Sequence, residues 1–576
     1  MTVHAVEEVR DPASVAPGTK GWCLTEMGGG EMVRIPITVL GYQGPATPEG
    51  ESVLIRLDDP RFKETGILAG MSGSPVYING KLLGALAFGW PFAREPIAGV
   101  TPFVRMLPLA GGASGQQGAG SRPQVAELAA ALAAGRLDRA VLDWLVPASG
   151  PRDGLQPLPV TVSGAAPVAA AWIGEAWQRL GWAAGPSSGS SAAASGPIVP
   201  GSMIAAVLVD GDAVVGAGGT VTEVRGNQVW AFGHPLLNSG SLAVPIARAR
   251  VTAVLPSLAS SFKFFTVGDM VGTLEVDRSH GVWGRLGAPA PMLPITVEAS
   301  GRTYSFRVAR EPVLLPLLAA FVTQASQAAQ GRTFGDQTLK VSLGVRFANG
   351  AALSFSQMLT GGDATAQGAA LVAAVLGYLK ASPFSPPAID SVAVRLAQDE
   401  EQHQAEIIDA VPDRTVVRPG DTLGVRVRMR TYREGMIERR AELTVPDYLP
   451  AGKLDLVVAD GGSWSAYDLR ARPFQPVSFA DELRLIGRLL PSSSLVLALE
   501  RHDPGVALGG GSVAAPPSIV LSLKSGLGPN LSAVPYQVPA QRVLKLGMPL
   551  SGAVRIHLIV RTDGRGGKAG SKAEER

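Results

Sequence analysis

The segment from Thr65 to Ala87, TGILAGMSGSPVYINGKLLGALA, constrains the fold of this chain more than any other. Its first half is rich in glycine and holds two serines. Only glycine adopts positive φ angles freely, so the backbone here is expected to turn sharply and to present a serine. Its second half predicts a β-hairpin, because Asn79-Gly80 is a strong two-residue turn signal ahead of the apolar strand Lys81–Ala87. We therefore expect the loop to stand on a sheet.

The sequence of residues 70–75, GMSGSP, fits the pattern GxSGxP. This pattern is similar to the loop around the nucleophile of chymotrypsin-like serine peptidases. The resemblance implies that Ser72, and not Ser74, is the nucleophile, and that the N–H groups of Gly70 and Ser72 form an oxyanion hole. The alternative interpretation is a tight turn between two strands that carries no chemistry.

A longer resemblance covers two separate parts of the chain. TGILAGMSGSPVYINGKLLGAL closely resembles a block of the SpoIVB peptidase family, bacterial signalling serine peptidases, and with MVRIPITVLG and IAGVTPFVRML the resemblance spans residues 17–110. GTVTEVRGNQVWAFGHPLLNSG resembles the family's catalytic-histidine block, and VGDMVGTLEVDRSHGVWGRLG resembles the block after it. In the family the histidine block comes first, so the two halves are exchanged here. A cleft between two barrels tolerates this order when the chain termini lie close together at the surface.

A serine nucleophile needs a base within hydrogen-bonding reach. The resemblance implies that this base is His234, which also stands at the end of a predicted strand, between Gly233 and Pro235. Taken alone, a histidine there is better explained as a hydrogen-bonded core or turn residue. The remaining histidines have no such context: they are His4, His280, His403, His502 and His557.

A carboxylate is expected to orient the base. Asp58 occupies the position where the resembling family carries its proposed catalytic aspartate. Asp59 is adjacent and could substitute, although Asp-Asp-Pro is also an ordinary turn. Asp210 and Asp212 lie in a predicted hairpin turn, where we expect solvated side chains.

The residues after the hairpin, Phe88, Gly89 and Trp90, are expected to bind substrate. They could form a sheet edge that pairs with an extended substrate backbone. The alternative is that Phe88 and Trp90 pack in the core, as aromatic side chains usually do.

Composition limits the remaining possibilities. A chain of 576 residues predicts several domains, and 70 glycines with 45 prolines favour a β-dominated protein. The net charge of +3 comes without a basic block, so no nucleic-acid partner is expected. The single cysteine, Cys23, excludes an internal disulfide and a cysteine-cluster metal site. No metal or nucleotide motif occurs, so no cofactor is expected.

No membrane or export signal is evident in the chain. The longest apolar runs, Val313–Val322 and Ala369–Leu379, are shorter than the roughly 18 residues of a membrane span. The N-terminal MTVHAVEEVRDP lacks the pattern of a signal peptide. The compartment is therefore open, and an extracytoplasmic place in the cell envelope is implied by the resemblance only.

The predicted fold is mainly β with helical insertions, a chymotrypsin-like two-barrel peptidase unit followed by an immunoglobulin-like β-sandwich. Helices are expected at Gln124–Leu145, Val313–Gln330 and Ala364–Leu379. The parts are residues 1–110, the serine-bearing β half; 111–196, a helical connector with flexible linkers GGASGQQGAGSR and GPSSGSSAAASG; 197–388, the histidine-bearing β half with helices; 389–561, the sandwich; and 562–576, a disordered tail.

These expectations combine into one function. The chain is predicted to be a serine endopeptidase that performs limited proteolysis of protein or peptide substrates through a Ser-His(-Asp) site. The alternative is a catalytically inactive peptidase fold that binds peptides or envelope proteins as a scaffold. The two loops that carry Ser72 and His234 must meet across one cleft for the first prediction to hold.

Overall fold

The structure is a computed structural model that describes residues 9–44, 50–90, 93–111, 124–135, 137–146, 158–184, 194, 196–257, 261–472, 476–503, 505–508, 511–514, 531–534 and 536–562. Strands make up 49% and helices 21%, so the prediction of a mainly β protein is confirmed. The linker GGASGQQGAGSR lies outside the described residues after Gly111. GPSSGSSAAASG lies outside them except for Ala194 and Gly196, and the predicted disordered tail does so from residue 563.

The first unit is a closed barrel of six antiparallel strands. Its elements are β1 Lys20–Met27, β2 Glu31–Gln43, β3 Ser52–Leu57, α1 Arg61–Thr65, β4 Pro75–Ile78, β5 Lys81–Gly89, β6 Ile97–Pro102 and α2 Phe103–Met106. The strand order is β1-β2-β3-β6-β5-β4, and β4 pairs back to β1. Asn79 (φ 50°) and Gly80 (φ 79°) are both left-handed, as a two-residue I′ turn requires, so the predicted β4–β5 hairpin is confirmed.

A helical connector follows the barrel. It contains α3 Val125–Ala133, α4 Leu137–Leu145, β7 Leu158–Ser163, α5 Pro167–Arg179 and β8 Trp182–Ala184. The one long helix predicted over Gln124–Leu145 is two helices in the structure. Gly135 takes a φ of 61°, a left-handed conformation that typically ends a helix.

The second unit closes another ring of six antiparallel strands. These are β9 Met203–Gly211, β10 Val214–Arg225, β11 Gln228–Ala231, β12 Gly240–Leu255, β13 Phe262–Arg278 and β14 Gly281–Leu286. The ring runs β9-β12-β13-β14-β11-β10, and a β9–β10 pairing closes it. β7 pairs with β10 and β8 pairs with β7, so the connector strands extend the same sheet.

The other side of this sheet continues into a helix-covered extension. Its elements are β15 Leu293–Ala299, β16 Arg302–Val308, α6 Leu314–Gln330, β17 Thr338–Phe347, β18 Ala352–Thr360, α7 Ala364–Lys380 and β19 Ile389–Asp399. β16 pairs with β9, and the order continues β15, β19, β17, β18. α6 and α7 occupy the predicted helical stretches and pack against β15–β18 in one apolar core. β19 pairs in parallel with β15, so the alternation that starts at residue 389 begins in this sheet.

The C-terminal unit has two sheets around a shared apolar core. Its elements are β20 Ala405–Pro412, β21 Val416–Val417, β22 Thr422–Thr431, β23 Gly435–Thr444, β24 Gly452–Asp460, α8 Gly461–Ala471, α9 Phe479–Gly487, β25 Ser494–Arg501, β26 Gly505–Leu508, β27 Gly511–Ala514, β28 Leu531–Val534, β29 Gln537–Lys545, β30 Leu550–Ser551 and β31 Ala553–Val560. The sheets are β23-β22-β20-β30 and β21-β31-β24-β25-β29, and β27-β26-β28 form a third. The immunoglobulin-like pattern is not confirmed, since β20–β30 and β21–β31 are parallel and two helices follow β24.

Aromatic side chains join the barrel to the second ring. Tyr77 and Phe103 of the barrel unit share an apolar cluster with Trp230 and Trp283 of the ring. The Trp230 indole N–H donates to the carbonyl oxygen of Met106 over 3.1 Å. The two units therefore form one packed body at this face. Among the helices of the described residues, none combines the length and apolar character needed to cross a membrane.

Candidate active site

The loop between α1 and β4, residues 66–74, is here called the serine loop. Gly70 (φ 94°) and Gly73 (φ 95°) both take left-handed conformations in it, as the glycine pattern predicts. A Cβ atom on Gly73 would lie 1.9 Å from the Thr220 carbonyl oxygen and 2.5 Å from the Phe232 nitrogen. Only glycine fits here, because the backbone of this loop touches the backbone of the second ring.

Three carbonyl groups of the serine loop are held by β10. The Thr220 N–H donates to the Ser72 carbonyl oxygen over 2.7 Å, and the Thr220 hydroxyl donates to that of Gly70 over 2.8 Å. The Thr222 hydroxyl donates to the Gly73 carbonyl oxygen over 2.8 Å. One strand of the ring therefore fixes the outward direction of these carbonyl groups.

The N–H groups of the serine loop divide into two sets. Those with backbone acceptors are Met71, which donates to Leu68, Gly73, which donates to Leu86, and Ser74, which donates to Met71. For the N–H groups of Gly70 and Ser72 the described residues provide no acceptor. These are the two donors that the sequence resemblance implies for an oxyanion hole.

The hydroxyl of Ser72 is buried. The side chain is 0% exposed, and its Oγ makes no hydrogen bond to any described residue. Buried hydroxyl groups in native structures are normally paired, so an exception needs an explanation. A nucleophile that pairs only when substrate enters is one such explanation.

The loop after β11, residues 232–239, is here called the histidine loop. Phe232 (φ 70°) and Gly233 (φ 69°) are consecutive left-handed residues at its start. This conformation is costly for phenylalanine and is found mostly where the surrounding structure imposes it, often at functional sites. The Thr101 hydroxyl of β6 donates to the Gly233 carbonyl oxygen over 2.7 Å. The barrel therefore holds the loop just before His234.

The serine loop and the histidine loop meet at one carbonyl group of β5. The Leu86 carbonyl oxygen accepts the N–H of Gly73 over 2.7 Å. The same oxygen lies 3.2 Å from the point where a Cβ of Gly233 would be. Gly73 follows Ser72 and Gly233 precedes His234, so the structure brings these two predicted residues into one region between the barrel and the ring.

The imidazole of His234 is 2% exposed, and its Nδ1 lies 2.9 Å from the Pro235 carbonyl oxygen. A carbonyl oxygen can only accept a hydrogen bond, so Nδ1 carries the hydrogen. Nε2 then carries the lone pair. This is the tautomer that a general base needs in order to take a proton from a serine hydroxyl.

Asp277 of β13 organises the histidine loop, a role that the sequence did not suggest. Its fully buried carboxylate accepts the N–H groups of Leu236 (2.8 Å) and Leu237 (2.7 Å). Burial raises the pKa of Asp277 above its ordinary value, although these N–H groups act in the opposite direction. An aspartate inside a strand is unusual, and that signal could have drawn attention to it.

The acidic residues considered from the sequence have partners of their own. The Asp58 carboxylate accepts hydrogen bonds from Thr38, from Lys20 over 3.1 Å and from Arg56 over 3.1 Å. Burial raises the pKa of Asp58, but these bonds outweigh it and hold the pKa below its ordinary value. Asp59 pairs with Arg61. An orienting role for Asp58 stays a prediction.

The other two aspartates considered from the sequence, Asp210 and Asp212, lie where β9 turns into β10. Asp210 pairs with Arg307, and Asp212 accepts the N–H of Ser305 over 2.7 Å. Both carboxylates therefore bind the β16 strand beside them, as turn-side acceptors often do.

The predicted substrate edge lies at the end of β5. Phe88 pairs with Gly99 and Gly89 with Ala98, both in β6, whereas the pairing of β5 with β4 runs from Lys81 and ends at Ala85. Within the described residues, Phe88 and Gly89 are thus paired with a strand on one side only. Trp90 is 46% exposed. Their binding of substrate stays a prediction.

Among the residues that the structure describes, no three or more His, Cys, Asp or Glu side chains are grouped so that they could hold a metal ion. Two other histidines, His502 and His557, both lie against Asp455 in the C-terminal unit.

Residues 7–107 match the family model described as SpoIVB peptidase S55. The match contains the whole barrel and the serine loop, so the SpoIVB peptidase prediction is confirmed for this part of the chain. The chain thus carries a peptidase-family domain, and a peptidase is a hydrolase. The histidine loop lies outside the match. Searches of curated proteins and of solved structures found no match to the chain.

Proposed function

We propose that this chain is a serine endopeptidase that cleaves protein or peptide substrates at limited sites. Ser72 is the nucleophile and His234 the general base. The observation that carries the proposal is the meeting of Gly73 and Gly233 at the Leu86 carbonyl oxygen, because it joins two loops that are remote in sequence. The family match supports it on the serine side only.

The proposed reaction gives each of these groups one step. Nε2 of His234 takes the hydroxyl proton while Oγ of Ser72 attacks the substrate carbonyl carbon. The negative charge on the carbonyl oxygen is stabilised by the N–H groups of Gly70 and Ser72. The imidazolium then gives its proton to the leaving amine as the C–N bond breaks. Water, activated by the same imidazole, releases the acyl group from Ser72.

The fold that we propose for the first two units is the chymotrypsin-like pair of barrels. The closed barrel carries the nucleophile and the second six-stranded ring carries the base. The serine-bearing barrel comes first, the reverse of the family order. The contacts of Thr220 and Thr101 across the units support this arrangement, since they need proximity and not chain order.

Cleavage requires that a covering element move, because Ser72 is 0% and His234 2% exposed. The connector touches both loops. Pro159 of β7 has its Cγ 3.3 Å from the Cβ point of Gly70, and the Trp182 indole N–H of β8 donates to the Leu236 carbonyl oxygen over 3.3 Å. Displacement of β7 and β8 is the proposed opening step, and an extended substrate would then pair beside Phe88.

A fluorophosphonate probe tests the proposal. We expect covalent labelling of Ser72, located by mass spectrometry, that is lost in Ser72→Ala and His234→Ala. Ser354→Ala, at an exposed serine of β18, is the matched control and should label normally. Trp182→Phe removes the hydrogen bond to Leu236 and should label faster than the wild type.

The same experiment distinguishes the scaffold. A folded wild-type chain and a folded Trp182→Phe variant that both remain unlabelled would overturn the peptidase proposal. The remaining function would then be that of a scaffold, which binds a peptide without cleaving it.

A further inference from the structure

A cluster of polar side chains is buried behind the serine loop, between the barrel and the ring. Lys263 of β13 is 1% exposed, and its Nζ donates to Oγ1 of Thr25 in β1 over 2.6 Å. The Ser74 hydroxyl donates to the same oxygen over 2.9 Å. The Cys23 thiol also lies in this cluster, and burial raises its pKa to about 12. Burying polar groups is costly unless they are hydrogen-bonded, and a satisfied buried network rigidifies the structure around it.

The backbone of Lys263 fixes one side of the proposed oxyanion hole. Its N–H donates to the Ala69 carbonyl oxygen over 3.1 Å, and the Ala69 N–H donates to Ser261 over 2.8 Å. The Ala69 carbonyl group and the Gly70 N–H belong to one peptide unit. In a planar trans peptide the C=O and N–H bonds point in opposite directions. The contact with Lys263 therefore sets the direction of the Gly70 N–H.

The side chain of Lys263 reaches the other donor through two hydroxyl groups. The Ser72 N–H shares its peptide unit with the Met71 carbonyl group, which accepts the N–H of Ser74 over 2.8 Å. Ser74 is held by Thr25, and Thr25 by the amine of Lys263. A single buried residue is thus connected to both peptide units that supply the donors.

We propose that Lys263 is the positioning residue of the oxyanion hole, acting on Gly70 through its backbone and on Ser72 through Thr25 and Ser74. The proposal rests on the peptidase function proposed above. Cδ of Lys263 also lies 3.4 Å from the Cβ point of Gly70, so the stem of the side chain packs under that glycine.

A simpler role for Lys263, as the ion-pair partner of Glu26, fits the contacts less well. The Glu26 carboxylate already binds Arg248 over 2.7 Å and the N–H groups of Met203 and Val251. The charged and titratable groups that act on the Lys263 amine are Glu26 and Cys23 of β1. Arg248 of β12 in turn binds Glu26. Burial lowers the pKa of Lys263 to about 7 against the attraction of Glu26 and Cys23. The amine is therefore not held as a firmly charged partner.

The test compares Lys263→Met with Lys63→Met. The first removes only the buried amine and keeps the backbone N–H and most of the stem, and the second removes an exposed lysine of α1. For Lys263→Met we expect kcat and the affinity for a peptidyl aldehyde, which forms an oxyanion on Ser72, to fall together by about 10-fold to 100-fold, with KM nearly unchanged. Lys63→Met should match the wild type in all three.

Hydrogen exchange supplies a readout that does not need activity. We expect faster amide exchange across residues 66–76 in Lys263→Met and not in Lys63→Met.

If Lys263→Met does not fold, Thr25→Val carries the same expectations, because it removes the shared acceptor in a residue of nearly equal volume. Wild-type exchange and wild-type aldehyde affinity in a folded variant would overturn the positioning role. An unlabelled Ser72 in both the wild type and the folded Trp182→Phe variant would overturn the peptidase function, while exchange still decides the role of Lys263 in holding the loop.

Discussion

The backbone N–H of Thr220 donates to the carbonyl oxygen of Ser72 over 2.7 Å. The hydroxyl of the same threonine holds the Gly70 carbonyl oxygen over 2.8 Å. Two carbonyl groups of the serine loop thus depend on one residue of the other unit. The loop has its observed shape only while the barrel and the ring stay docked, so stability of the interface and activity are expected to be coupled.

Replacing Thr220 with valine tests this coupling. Thr220→Val keeps the shape and the backbone N–H but leaves the Gly70 carbonyl group buried without its donor, which typically costs about 1–3 kcal/mol. We expect the free energy of unfolding in urea to fall by that amount and the rate of fluorophosphonate labelling to fall as well. Thr273→Val is the control, because its hydroxyl makes an exposed bond to Ala288. Equal small effects in both variants would contradict the coupling.

Gly73→Ala should disrupt the contact between the barrel and the second ring. The new methyl group would lie 1.9 Å from the Thr220 carbonyl oxygen, and backbone atoms cannot move away as a flexible side chain could. We expect a loss of about 3 kcal/mol or more in the free energy of unfolding, and loss of labelling. Gly80→Ala has a similar positive φ but open space around it, so it should cost only about 1–2 kcal/mol. Differential scanning calorimetry would check both values.

The sequence predicts the local parts of this site well. The glycine positions, the Asn79-Gly80 turn and the β4–β5 hairpin are set by residues close in sequence, and the structure contains all of them. The helices at residues 314–330 and 364–380 are equally local, because long apolar stretches decide them. The SpoIVB resemblance likewise depends on contiguous motifs.

The parts that the sequence misses depend on distant partners. In FKFF the alternation would favour phenylalanine on the buried face, yet Lys263 is buried while Phe262 and Phe264 are half-buried. Its partners Thr25 and Ser74 come from the other unit, so nothing near Lys263 in sequence indicates its role. Asp277 is similar, since the N–H groups that it accepts lie about 40 residues away. Both residues matter because of contacts with residues that are distant in sequence, and the local sequence pattern does not reveal such contacts.

Substitutions at Asp277 and Asp58 are expected to have opposite effects on the labelling of Ser72. Asp277→Asn places an amide N–H group where three backbone N–H groups now converge, so the histidine loop should shift. We expect labelling of Ser72 to fall by about 10-fold or more, as for other displaced catalytic bases. Asp58→Asn should leave labelling close to wild type, because its bonds go to Thr38, Lys20 and Arg56. Asp269→Asn, at an exposed position of β13, controls for the substitution itself. A large loss in Asp58→Asn would instead support its predicted orienting role.

Lys263 should also make stability depend on pH in a defined window. Its pKa is about 7 in the folded chain against an ordinary value of 10.5, so between these values the unfolded chain binds more protons. The free energy of unfolding should therefore rise as pH increases from about 7.5 to 9. Two other groups set the limits of this pH range, because they change the stability in the opposite direction outside it. Burial raises the pKa of Glu311 to about 7, which makes stability fall with pH only below that value, and Cys23 acts in the falling direction only above its ordinary 9.0. Urea titrations across the window should show the rise in the wild type and in Lys63→Met, and a much flatter dependence in Lys263→Met. The same rise in Lys263→Met would assign the pH dependence to another group, such as Lys380, whose pKa burial also lowers.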